Sequence, residues 1–239
     1  MLQVCLNGSR SRAECPHLPV KAAEMAVSAR EAVAAGAVDI HLHPKGPNGQ
    51  DTLEATAVAA AVSAVRAAVP GIPIGVTTGA WAVPDPYVRV AQVRSWTVLP
   101  DHASVNWHED GADEVAQALL DRGIGVEAGV YSGTDAAERF LGWSGARRVL
   151  RVLAEVTETT PREALRAAAG LLEELRTSAA PTLLHGEDAA AWPVLRLAAS
   201  RGLQARIGLE DVLHLRNGEA AADNASLVRE AHGIIHDGA

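Results

Sequence analysis

The chain has 239 residues, 48% of them hydrophobic, a formal net charge of −8, and an aromatic share of 3% with a single Phe. This composition excludes a disordered chain and supports a full core built mainly from Ala, Val, Leu and Ile. The acidic balance weighs against a general binder of nucleic acid or anionic membrane.

Residues 2–7 read as a buried strand, followed by the polar turn Asn7-Gly8-Ser9-Arg10-Ser11-Arg12. Pro16 and Pro19 mark an extended segment. A helix is expected from about Ala22 to Ala35, with Gly36 where a capping glycine belongs. Val38-Asp39-Ile40-His41-Leu42-His43 is the second strand, and the loop 44–49, rich in Gly and Pro, leads into an Ala/Val-rich helix over 52–68. The unit then recurs. Strands are expected at 72–78, 103–107, 123–128, 148–153, 181–185 and 204–210, with helices near 86–95, 113–121, 134–142, 161–176, 189–200 and 223–231.

Eight short apolar strands alternating with helices predict an α/β fold, a single (β/α)8 TIM barrel, with 1–239 as one domain. An open doubly wound sheet would usually carry a glycine-rich phosphate turn after its first strand, and Asn7-Gly8-Ser9 is not one. Cys5 and Cys15 form neither a metal spacing nor a disulfide framework. Met1 leads straight into Leu2-Gln3-Val4 without a signal-peptide pattern, and no stretch is apolar enough to span a bilayer. The expectation is a cytoplasmic protein with no nucleic-acid or membrane partner.

In such a barrel, chemistry sits at the C-terminal ends of the strands. The polar residues expected there are Asn7, His41, His43, Thr77, Ser104, Asn106, Glu127, His185, Arg206 and Glu210. On a strand, residues i and i+2 share a face, so His41 and His43 point the same way and can chelate one divalent metal. By the same parity Arg206, Gly208 and Glu210 share a face. Strands 2 and 8 both flank strand 1 in a closed barrel, so Glu210 can complete a His2Glu set for Zn²⁺ with an open coordination position. Asp211 follows at once and reads either as a candidate base or as a helix cap or solvated loop aspartate. His108 and Glu109 are candidates for the mouth, and Glu187 and Asp188 for a helix start. His17, His102, His214, His232 and His236 read as loop or surface residues, and Arg147, Arg148 and Arg151 as surface ion-pair formers. Trp81 and Trp107 either wall a pocket or pack under a loop.

Several motifs occur in order. They are the Asn7-Gly8-Ser9 turn, His41-Leu42-His43, Val76-Thr77-Thr78-Gly79, Ser104-Val105-Asn106, Arg206-Ile207-Gly208-Leu209-Glu210-Asp211 and Ala222-Asp223-Asn224-Ala225. Together they resemble the β-keto acid cleavage enzymes, the group that includes 3-keto-5-aminohexanoate cleavage enzyme. The resemblance implies a zinc-dependent barrel enzyme, an acyltransferase that condenses a β-keto acid with acetyl-CoA and releases acetoacetate and a new acyl-CoA. It implies a homo-oligomer, a dimer or tetramer. It assigns His41, His43 and Glu210 to the metal, Asp211 to the base and Arg206 to its orientation. Thr77 and Ser104 then surround the substrate carboxylate and keto group, and Asn7, Arg10, Asn106, Glu127 and His185 complete the pocket. Many relatives carry Glu at the position of Arg10, and arginine at that of Lys45. An arginine in the first turn is expected to disfavour a cationic substrate tail. Two rival readings are a zinc barrel hydrolase or aldolase without CoA, and a non-catalytic barrel that binds a small carboxylate.

Overall fold

The computed structural model describes residues 1–237. Its strands are β1 (Leu2–Cys5), β2 (Asp39–Leu42), β3 (Ile74–Thr77), β4 (His102–Asn106), β5 (Gly125–Tyr131), β6 (Arg151–Val156), β7 (Thr182–Gly186) and β8 (Gln204–Ile207). The helices between and after them are α1 (Ala22–Ala34), α2 (Ala55–Ala68), α3 (Pro86–Ser95), α4 (Ala112–Asp121), α5 (Ala136–Gly142), α6 (Pro161–Glu174), α7 (Ala191–Ser200) and α8 (Asn224–Asp237). The strands form one closed parallel barrel in chain order, β1 to β8. It is a (β/α)8 TIM barrel. No described helix is long and apolar enough to cross a membrane, and both cysteines are free and buried.

Alternation along each strand sorts its side chains into two layers. Val4, Ile40, Leu42, Ile74, Val76, Val126, Val152, Leu184 and Ile207 are fully buried in the hydrophobic core shared with the helices. Their strand neighbours Gln3, Asp39, His41, His102, Ser104, Glu127, Arg151, Glu155, His185 and Arg206 are buried too, but polar, and alternation directs them into the lumen. The helices start where local chemistry dictates. Pro86 opens α3 while Asp85 accepts from the Tyr87 and Val88 amides, and Thr160 accepts from Glu163 N at the start of α6.

Two residues read from sequence as surface groups lie in the lumen. His102 is the first residue of β4 and is 1% exposed, and Arg151, the first residue of β6, is 5% exposed. Opposite His102, Gly75 makes room: a Cβ there would lie 2.1 Å from the imidazole. With Gln3, Asp39 and Glu127 these residues fill the N-terminal end of the barrel. Arg151 Nη2 is 2.6 Å from Asp39 Oδ2 and its Nε 3.0 Å from Glu127 Oε1. His102 Nε2 and Nδ1 each lie 3.0 Å from a carboxylate oxygen, of Asp39 and Glu127 respectively. Gln3 Nε2 donates to both carboxylates at 2.9 Å. Burial alone would push His102 down, but the Glu127 and Asp39 charges outweigh it and hold the imidazole up at about 10. Two anions therefore face two cations. Asp39, His102 and Glu127 lie close enough together to hold a metal, but Arg151 already engages both carboxylates.

The sixth strand starts three residues later than the expected 148–153, and a short 3-10 turn occupies Ala146–Arg148. The shift brings Glu155 into the lumen in register with His185. The eighth strand is shorter than 204–210. It ends at Ile207, and the chain then turns tightly, with Asp211 N and Val212 N both bonded to Gly208 O. A Cβ on Gly208 would lie 1.9 Å from the Cys5 carbonyl oxygen, so only glycine lets this turn press against β1.

Candidate active site at the C-terminal mouth

The closure of the barrel brings its two ends of sequence together. Cys5 of β1 is in register with His41 of β2, and Val4 with Ile207 of β8. Glu210 N bonds back to Cys5 O at 3.3 Å. The Glu210 carboxylate thereby meets the histidines. Its Oε2 is 3.9 Å from His41 Nε2, and its Oε1 is 3.5 Å from His43 Nε2. The two imidazoles are edge to face, 5.3 Å between centroids. One donor atom from each of the three residues lies within 4.8 Å of the others, a grouping able to hold one divalent ion.

The turn after β8, rather than strand parity, presents both Glu210 and Asp211 inward. Arg206 Nε and Nη2 lie 3.0 and 2.9 Å from Asp211 Oδ1, and Nη2 is 3.0 Å from Glu210 Oε1. Asp211 is 0% exposed, so it is neither a solvated loop residue nor a surface helix cap, and its Oδ2 has no hydrogen-bond partner. Burial raises its carboxyl to about 6 despite Arg206. Burial likewise lowers His41 to about 4. His43 goes the other way: against burial, Glu210 and Asp51 hold it up at about 9.

His185 lies between Asp211 and Glu155, 3.6 Å from Asp211 Oδ1 by Nδ1 and 3.3 Å from Glu155 Oε2 by Nε2. Burial and the Arg206 charge push it down to about 3, and burial raises Glu155 to about 7. Thr77 is buried and its Oγ1 accepts from Gly79 N at 3.1 Å, and Ser104 faces the mouth beside it in register. Asn106 donates to Glu109 at 2.9 Å, and Glu109 is held by Arg89 at 2.5 Å.

Other expected pocket residues make contacts within the protein. Asn7 Nδ2 donates to the Pro19 and His43 carbonyls, and its Oδ1 accepts from His43 N. It fixes the His43 backbone. Glu127 belongs to the charged layer at the far end of the lumen, with Oε2 3.8 Å from His41 Nδ1. Arg10 folds over the mouth, its Nε on the Glu210 carbonyl at 3.0 Å and its Nη2 on Asp188 at 2.6 Å. Of the tryptophans, Trp107 is buried against Phe140, and Trp81 stands at the mouth against His43. Glu109 was a candidate for the mouth, but Glu155 and Arg89, the partner of Glu109, were not among the residues expected at the site. Glu155 carries one usable signal: it shares strand parity with Arg151 and Leu153 and lies between the apolar Ala154 and Val156.

No curated protein sequence matches the chain. Among solved structures, apo ObcA superposes with a TM-score of 0.72 at 16% identity, covering 91% of this chain and 61% of ObcA. The ternary complex of ObcA with a C4-CoA adduct and oxalate gives 0.74 at 16%, covering 93% and 64%. The 3-dehydroquinate dehydratase of Geobacillus kaustophilus HTA426 gives 0.62 at 12%, covering 99% and 90%. At these identities the likeness is one of fold, and the chain spans about three fifths of ObcA's length. The family model described as beta-keto acid cleavage enzyme matches residues 1–238. The chain belongs to the beta-keto acid cleavage enzyme family.

Proposed function

We propose that the protein is a zinc-dependent β-keto acid cleavage enzyme. In this reading it condenses a β-keto acid with acetyl-CoA and releases acetoacetate and a new acyl-CoA. The observation that carries the reading is the convergence of His41, His43 and Glu210 beside an Arg206-held Asp211 whose second oxygen is free. Support for CoA and a keto acid as ligands comes from ObcA, whose complexes contain a C4-CoA adduct with oxalate, and oxaloacetate.

The donor set suits zinc. It combines two imidazole nitrogens with a carboxylate whose Oε2 is buried without a hydrogen-bond partner. His43 turns its Nδ1 to Asp51 at 2.8 Å, which leaves Nε2 directed at Glu210. Bound there, zinc supplies Lewis-acid polarisation of a carbonyl. Thr77 and Ser104 offer hydroxyls for the substrate carboxylate.

Asp211 Oδ2 takes the proton from the carbon between the keto and carboxylate groups, while Arg206 fixes Oδ1. The resulting carbanion attacks the acetyl thioester, forming a C–C bond as the CoA thiolate leaves. The thiolate then attacks the original keto carbon. The bond from that carbon to the carboxylate-bearing carbon breaks, giving the new acyl-CoA. Asp211 returns its proton to the acetoacetate carbanion, so the base is restored each turn.

The test is a screen of purified zinc-loaded protein against β-keto acids, with and without acetyl-CoA. Acetoacetate and a matching acyl-CoA should appear only when both substrates are present. Cleavage that proceeds equally without acetyl-CoA would favour a CoA-independent hydrolase or aldolase. Elemental analysis should find about one zinc per chain in the wild type and none in the His41→Ala, His43→Ala double variant.

A further inference from the structure

We infer that Asp51, Lys45 and Trp81 form a clamp behind His43 that sets how tightly the His41–His43–Glu210 cluster holds its metal. The inference rests on the metal reading above and adds three residues to it. Asp51 Oδ2 accepts two hydrogen bonds, from His43 Nδ1 at 2.8 Å and from Trp81 Nε1 at 2.7 Å. Its Oδ1 accepts from Lys45 Nζ at 2.5 Å, and Lys45 also donates to the Gly8 carbonyl at 2.6 Å. The Trp81 ring stacks on the His43 ring, 5.8 Å between centroids and 17° from parallel.

This construction is specific. The loop after β2 folds back on itself through an antiparallel bridge between Lys45 and Asp51, with Gly46 N bonded to Gln50 O and Thr52 N to Pro44 O. The fold-back returns Asp51 to the imidazole eight positions before it. The Asp51 and Lys45 side chains are only 5% and 2% exposed. A carboxylate buried this deeply is costly unless paired, and Lys45 supplies the pairing charge. None of the three groups is directed at Glu210. They act on the metal cluster only through His43.

The physical effect is pre-organisation. An Nδ1–H donated to a fixed carboxylate selects the tautomer with its lone pair on Nε2 and stops the ring from rotating. Stacking by Trp81 restricts the same rotation from the side. His41 has no equivalent: its Nδ1 lacks a hydrogen-bond partner and Glu127 stands 3.8 Å away. One imidazole is thus a fixed arm and the other an adjustable one.

The zinc dissociation constant of the metal-free full chain, measured by competition with a chromogenic chelator, tests the clamp without reference to turnover. Asp51→Asn should weaken binding by about 10- to 100-fold, the usual effect of removing such a partner. Trp81→Phe keeps a stacking ring and loses only the N–H, so it should weaken binding by about two- to tenfold. The melting temperature of metal-free Trp81→Phe should match the wild type. Wild-type zinc affinity in either folded variant overturns the clamp. So does weaker binding that merely follows a lower metal-free melting temperature. If Asp51→Asn fails to fold, the half-exposed Trp81 position decides alone. Wild-type protein that binds no zinc would instead overturn the metal reading itself, so the two failures are separable.

Discussion

Arg206 grips a single oxygen of Asp211: its Nε and Nη2 lie 3.0 and 2.9 Å from Oδ1, and Oδ2 is left without a partner. The same guanidinium reaches Glu210 Oε1 at 3.0 Å. One cation therefore offsets Asp211, which is fully buried, and Glu210, whose side chain is 15% exposed. Replacing it strands Asp211, while Glu210 keeps His43 beside it. Arg206→Met should destabilise the metal-free protein by about 3–5 kcal/mol, the scale of breaking a buried ion pair from one side. Urea unfolding of metal-free wild type and variant reads the difference; a loss below about 1 kcal/mol, typical of exposed pairs, would show that the carboxylates do not depend on Arg206.

Asp211→Asn preserves shape and the Arg206 contact but removes the proton acceptor. Its kcat should fall by about 10²–10⁴, the usual contribution of a general base, with zinc content unchanged. Exchange of the substrate α-proton in deuterated water isolates the step. Exchange at the wild-type rate in the variant would assign the base elsewhere.

The charged layer at the N-terminal end of the barrel should make stability depend on pH in both directions. His102 is raised from 6.5 to about 10. Its contribution is complete below about pH 6.5 and is lost as pH rises towards 10. Asp39 and Glu127 have their carboxyls lowered, by His102 and Arg151 against the opposing effect of burial. Their contribution is present above the ordinary carboxylate range and is lost on acidification. The stability gap between wild type and His102→Gln should therefore narrow from pH 6.5 to 10. A gap that stays constant over that range would mean that His102 is not held charged.

Arg10 bonds to the Glu210 carbonyl and to Asp188 at the mouth. Arg10→Glu should lower kcat/KM for β-keto acids generally, because that strap is lost. The fall should be smaller, by about tenfold or more, for an amino-substituted acid than for a dicarboxylic one, since the local charge reverses. Equal falls for the two substrates would reduce Arg10 to a structural strap.

The alternation of apolar and polar residues made the barrel readable in the sequence. Helix α3 falls at Pro86–Ser95 as expected because Asp85 and Pro86 mark its start chemically. The shared face of His41 and His43 was legible from strand alternation, and barrel closure set β8 beside β1, but Glu210 and Asp211 reach inward through the turn after β8, which parity did not give. The reason Asp211 faces inward was not legible. It depends on Gly208 pressing against β1, a contact between the two ends of the chain. His102 and Arg151 read as surface groups because their partners are distant in sequence: Asp39 lies 63 residues from His102 and 112 from Arg151. A buried charge is recognisable only once its counter-charge is known. Glu155 was missed because Arg148–Leu153 matches the strand pattern about as well as Arg151–Val156 does, and a three-residue slip hides which residues face the lumen.

The layer of Gln3, Asp39, His102, Glu127 and Arg151 also governs traffic. Its residues are all at most 5% exposed, so the lumen is stoppered at that end. On the proposed function, substrate reaches the Glu210 end from the C-terminal mouth and product leaves the same way. A spent molecule still in that mouth blocks the next arrival. Release of one product and admission of the following substrate are thus events in a queue, and an accumulating product competes directly with fresh substrate for entry.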